Sequence, residues 1–337
     1  MTSGPRRLLA AALLAIAAHA SHAQSLIVDT PQVRKALDEG AIVWDARSAK
    51  DYAEGHLPGA VNFGAAGELF RDPIREDPPS AAVASQLFGQ AGIDFLNRDV
   101  IVYTRNGDPI AHFAARMLEY YGGRFGKVYH GGIDAWKAAG HSLETQATRL
   151  PPVALNLSVS GAGAVSTKEV VALAQQGGAQ LIDVRTKKEF TGEDVRAIRG
   201  GHITGAVNIP YEANWRDPLT AAKLASKQAK NRDGMSLKPE DELKALYATL
   251  DPAKETIVYC QSGVRASETA AVLRDLGFAN VKVYESSWLG YAGVLSAPAQ
   301  DEVFVNVGAL NATIASLRNR VQSLEAEVGK LGSRPAQ

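Results

Sequence analysis

Short β-branched and aromatic runs recur along the chain, each followed by a longer stretch of helical composition. Ile257-Val258-Tyr259 is the clearest, with the residue types and length of a buried strand. The segment from Ala266 to Leu276 predicts a helix that Gly277 stops. Between them lies a strand-to-helix loop, Cys260-Gln261-Ser262-Gly263-Val264-Arg265. The same grammar appears earlier: Val100-Ile101-Val102-Tyr103 matches Thr256-Ile257-Val258-Tyr259, and Ile42-Val43-Trp44-Asp45-Ala46-Arg47 matches Leu181-Ile182-Asp183-Val184-Arg185. Gly55-His56-Leu57-Pro58-Gly59-Ala60-Val61-Asn62 returns as Gly201-His202-Ile203-Thr204-Gly205-Ala206-Val207-Asn208. Each copy reads as helix and strand in alternation, which predicts an α/β domain whose mainly parallel sheet is covered on both faces.

The repeat unit is a whole domain, far longer than a solenoid module. It divides the chain into a first domain over 24–147, a linker over 148–164 marked by Pro151-Pro152 and a glycine-serine patch, and a second domain over 165–298. At the very start, Arg6-Arg7, an apolar stretch from Leu8 to Ala18 and the small residues ending Ser21-His22-Ala23 read as a signal peptide over 1–23, cut after Ala23. That stretch is short for a bilayer span and no second candidate follows it, so the expectation is a periplasmic or secreted protein with no stable membrane anchor. The formal net charge of zero argues against a nucleic-acid partner.

Cys260 is the single cysteine of the 337 residues, so in an oxidising compartment its thiol is either reactive or linked between chains. A lone cysteine is often just a small buried hydrophobe. The company of Ser262, Gly263 and Arg265 favours a reactive one, because loop amides, the positive end of the following helix and a guanidinium all favour a thiolate. The seven histidines form no ligand-spaced cluster and cysteine pairs are lacking, so no metal is expected. In the first copy the position of Cys260 is Thr104, followed by Arg105-Asn106-Gly107-Asp108-Pro109, and that domain is read as structural or as one wall of a cleft.

The Asp-x-Arg segment, the stretch Gly201 to Pro210, the loop Cys260 to Arg265 and Val283-Tyr284-Glu285-Ser286-Ser287-Trp288 together resemble the tandem-domain rhodanese sulfurtransferases, over nearly everything from Ser25 to Val294. The resemblance implies two doubly wound α/β domains, the first inactive, and a second whose cysteine cycles between thiolate and persulfide. It implies a small anionic sulfur donor such as thiosulfate or mercaptopyruvate, a thiophilic acceptor such as cyanide or a thiol, and no organic cofactor. Cys260 is then the nucleophile, and the backbone of Gln261, Ser262, Gly263 and Val264 surrounds the sulfane sulfur. Arg265 either contacts the donor anion or pins the loop through carbonyls or an acid. Trp288 walls the pocket or belongs to the core, and Arg185, a candidate substrate contact, has a counterpart in Arg47 that speaks for a structural role, as His202 has in His56.

One departure stands out: the family's users of thiosulfate and mercaptopyruvate usually carry an arginine where this chain has Glu189, and a threonine where it has Arg265. A carboxylate facing the pocket would repel an anionic donor. A rhodanese-fold phosphatase is the weaker rival, since its loop has one residue more between cysteine and arginine. A carrier that passes its persulfide only to a dedicated partner is the other alternative.

Beyond the second domain, Val307, Leu310, Ile314, Leu317, Val321, Leu324, Val328 and Leu331 alternate three and four residues apart. This heptad seam over 303–331, β-branched at one position and leucine at the other, predicts a two-stranded parallel coiled coil, with a trimer as the neighbouring solution. In that register Arg320 meets Glu325 of the partner chain, and a homo-oligomer follows. A helix folded back on the globular domains is the competing reading.

Overall fold

The computed structural model describes residues 25–332 apart from Pro73, Arg75 and Phe125, with side chains described to 329; the expected signal peptide lies outside the described residues. Ile42–Asp45, Val100–Tyr103 and Lys127–Tyr129 form the first sheet, all parallel. The second sheet runs Ala164–Val165, Val281–Tyr284, Thr256–Tyr259, Gln180–Asp183, Val207–Asn208, again all parallel. Ile42 sits opposite Val100 in one and Gln180 opposite Thr256 in the other, so the sequence repeat is a repeat of register.

Residues along Thr256–Tyr259 are buried throughout, as a strand covered on both faces must be. Alternation sorts its side chains. Val258 and then Cys260 join Ile182, Val184 and Val283 in one layer, while Ile257 and Tyr259 join Leu181, Tyr284 and Trp288 in the other.

The two domains meet through the helices that follow their matching loops, Ile110–Tyr120 and Val264–Asp275. Ala111 to Leu118 and Ala266 to Leu273 are buried without a break, because each helix has its own sheet on one side and the other domain on the other. Arg116 crosses this interface to Ser267 Oγ at 3.0 Å and to Glu285 Oε2 at 2.5 Å, and Arg274 meets Glu119 at 3.0 Å.

The linker is a strap and not a free tether. Leu150, Leu155 and Leu157 pack on the first core, and the amides of Val153 and Leu157 donate to Gly89 O and Ser85 Oγ. The second domain also runs past residue 298: Ala299–Phe304 pairs antiparallel with Arg199–Ile203, lengthening what is a single His56–Glu144 bridge in the first domain. Val307–Gly332 then forms one helix whose seam from Val307 to Val328 is 38–66% exposed, so it does not fold back on the domains.

Candidate active site at the Cys260 loop

Cys260 closes its strand with 1% of its surface exposed. Its Sγ accepts the Gly263 amide at 3.1 Å. That bond depends on Gly263, whose φ of +84° turns the loop straight into the helix at Val264, two residues ahead of the sequence expectation. A Cβ built on Gly263 would lie 2.9 Å from Glu285 O and 3.1 Å from Arg71 Nη2. The Cys260 amide donates to Ser287 Oγ at 3.1 Å, and that hydroxyl donates to Tyr284 O at 2.7 Å. Ser287 does this from the left-handed region, φ +45°, a conformation costing about 1 kcal/mol or more that the packing around it sustains.

Gln261 is buried and its Nε2 donates to Arg196 O at 2.9 Å; Ser262 is half-buried, and Val264 packs against the first domain's core. The loop is thus lined on one side by the other domain. Arg265 does not reach out as a free cation. Its Nη1 and Nη2 each bond a Glu189 oxygen at 2.8 Å, with Arg196 joining at 3.1 Å. Burial would raise the Glu189 carboxyl, but Arg265, together with the Thr186 amide and hydroxyl, holds it down at about 2. Burial likewise acts to lower the Arg265 guanidinium, and is outweighed by Glu189 and by the Cys260 charge, which raise it. Of the two roles open to Arg265, the structure occupies it with pinning the loop to an acid.

Two expected site residues are corrected. Arg185 is no pocket residue: its Nε bonds both Asp183 oxygens at 3.0 Å and its Nη2 bonds Asp183 and Gly201 O, with the guanidinium 4.7 Å over the Trp288 ring. Arg47 makes the same bracket with Asp45 and Gly55 O in the domain without the thiol. Trp288 is fully buried in the layer on the far side of the sheet from Cys260 and donates to Arg199 O at 3.0 Å, so it is core and not a wall. His202 stacks on Phe190 as His56 stacks on Tyr52, each bonding that ring's own backbone carbonyl at 2.9 Å.

Other residues at the site went unread. Arg71, from the first domain, lies against Gly263 with its guanidinium 4.6 Å from the Phe113 ring centroid. Its Nη1 donates to Glu76 O, while Nε and Nη2 are buried without a partner among the described residues. Burial lowers this guanidinium, against the charges of Glu285 and Cys260. The available signal was a repeat: Phe70-Arg71-Asp72-Pro73 returns as Trp215-Arg216-Asp217-Pro218. Arg116 could have been suspected as the one charge amid the apolar run Ile110 to Leu118, since a buried charge needs a partner.

The matching loop of the first domain borders a cleft lined by Arg105, Asp108 and Arg232. Thr104 Oγ1 donates to Asp108 O, and the second domain covers the loop through Asn106 Nδ2 to Arg232 O at 2.9 Å and to Ser236 Oγ at 3.0 Å. The fold also collects His112, His130 and Glu268 within 4.8 Å at the interface, a grouping that residue spacing did not show. His130 Nε2 donates to Met235 O at 2.9 Å, so its Nδ1 accepts from His112 Nε2 at 3.0 Å. Burial holds both rings below their usual range and pushes the Glu268 carboxyl well above its own.

Residues 29–139 and 166–293 each match the rhodanese-like domain, and the chain belongs to the rhodanese family. It is 34% identical to the thiosulfate sulfurtransferase of Corynebacterium glutamicum over 263 residues, which is 74% of this chain and 81% of that one. Among solved structures it is similar to the 3-mercaptopyruvate sulfurtransferase SseA of Escherichia coli (TM-score 0.65, 27% identity, 78% of this chain and 99% of the other). The fold is shared with the 3-mercaptopyruvate sulfurtransferase of Leishmania major (TM-score 0.66, 22% identity, 83% and 77% covered).

Proposed function

We propose that this protein is a sulfurtransferase that carries sulfane sulfur on Cys260, with thiosulfate as the donor to test first. The observation that carries the reading is the Gly263 amide on Sγ at the head of a 12-residue helix. A fixed amide at the helix N-terminus stabilises negative sulfur without reorganising as charge develops. The thiolate attacks the outer sulfur of thiosulfate, a new S–S bond forms, and the old one breaks as sulfite leaves with its electron pair. The persulfide anion keeps the charge of the thiolate. Cyanide then takes the outer sulfur as thiocyanate and the thiolate returns, so charge and electrons balance at both steps.

The reading extends to an exported homo-oligomer. Export rests on the pattern from Arg6 to Ala23, and self-association on the exposed seam from Val307 to Val328. The test is thiocyanate formation by the mature protein beside Cys260→Ser, with intact mass recorded after thiosulfate alone. Turnover that vanishes in the variant, a gain of one sulfur in the parent and a mass beginning at Gln24 are expected. A sulfur gain without turnover favours the carrier reading, and no gain overturns both.

A further inference from the structure

In the second domain the two cations beside the loop, Arg265 and Arg196, are both engaged by one carboxylate. Glu189 stands where the arginine is expected, and Arg265 spends both Nη atoms on it. Across the interface the arrangement differs. Arg71 and Arg116 both face Glu285, which Arg116 holds through both oxygens. Arg71 has the charges of Glu285, Cys260 and Glu76 around it.

We propose that Arg71, carried by the domain without the thiol, is the anion-binding residue of the Cys260 site and holds the sulfonate end of thiosulfate through Nε and Nη2. The assignment rests on the sulfurtransferase reading. Its position is set by Gly263: a Cβ on that residue would meet Nη2 at 3.1 Å, and the amide of the same residue is on Sγ. Its orientation is set by the Phe113 ring beneath the guanidinium and by Glu76 O, which accepts from Nη1. That leaves Nε and Nη2 buried with no acceptor among the described residues. Two such donors are costly unless a ligand meets them, and this edge of a guanidinium matches two oxygens of a sulfonate as it matches a carboxylate or phosphate. The active centre is therefore shared between the domains: one supplies the nucleophile and the other the charge.

Sulfur loading of the full-length protein, followed by intact mass against thiosulfate concentration, tests this. Arg71→Gln should raise the concentration for half-maximal loading tenfold or more, while a persulfide loaded beforehand is discharged by cyanide within about threefold of the parent's rate. Arg71→Lys should fall between, and guanidinium ion should restore Arg71→Ala in part. A folded Arg71→Gln that loads like the parent overturns the assignment. So does a loss that slows discharge equally and that guanidinium does not relieve, which is the mark of a packing role. If the glutamine and alanine variants melt below assay temperature, Arg71→Lys carries the test, and parental loading by it is the overturning result. A parent that gains no sulfur brings down the Cys260 reading itself, and this one with it.

Discussion

Glu189 looks like an obstacle to anion binding until its contacts are counted. It is buried, accepts both Arg265 nitrogens, and accepts the Thr186 amide and hydroxyl at 3.0 Å, so its charge is spent inside the protein. Its carboxyl is held at about 2, below the ordinary 4.5. The folded state therefore binds the proton more weakly than the unfolded chain. The stability this gives is complete above 4.5 and is lost as pH falls toward 2. Glu189→Gln should cost about 3 kcal/mol at neutral pH, as expected when one partner of a buried pair is removed. In denaturant melts at pH 7 and pH 3 the gap to the parent should narrow at the lower pH; a constant gap would show that the pair contributes nothing ionic. Both partners were legible as residue types, but their pairing was not, because 76 positions separate them and nothing local points one at the other.

At the scale of elements, strands such as Val100–Tyr103 and Thr256–Tyr259 were readable because their burial is continuous and their residues β-branched or aromatic. Ala164–Val165 and Val207–Asn208 were not. Two residues carry no periodicity, and they are strands only because Val281–Tyr284 and Gln180–Asp183 offer them an edge. The terminal helix was readable over its full seam, and the fold leaves that seam uncovered. Cutting the chain after Asn306 keeps the pairing of Ala299–Phe304 with Arg199–Ile203 and removes only the helix. Light scattering should then drop from a multiple of the chain mass to a single chain, with thiocyanate turnover retained. An unchanged mass would exclude the coiled coil.

Across the whole molecule the two domains exchange covers. The Arg71 segment lies over the Cys260 loop, and residues 232–236 lie over the Thr104 loop. These contacts are long-range and were invisible to pattern reading, which found the repeat without finding how its copies face each other. The helices behind the loops meet at His112, His130 and Glu268. Glu268 keeps its proton in the fold well above 4.5, where the unfolded chain has released it, so stability falls as pH rises past that value. Glu268→Gln removes the titration. It should gain on the parent by up to about 1.4 kcal/mol per pH unit above 4.5 until the folded carboxyl itself ionises. Equal slopes of stability against pH between 5 and 8 would refute a buried neutral acid.

The depth of Cys260 also bears on redox chemistry. Disulfide exchange requires the incoming sulfur to reach the attacking one, and another folded protein cannot deliver a sulfur to a residue 1% exposed. A small ion needs only a narrow opening. Burial of this depth therefore sorts oxidants by size. Such burial disfavours a crosslink between chains through Cys260, and a partner protein would have to open the loop before exchanging sulfur with it.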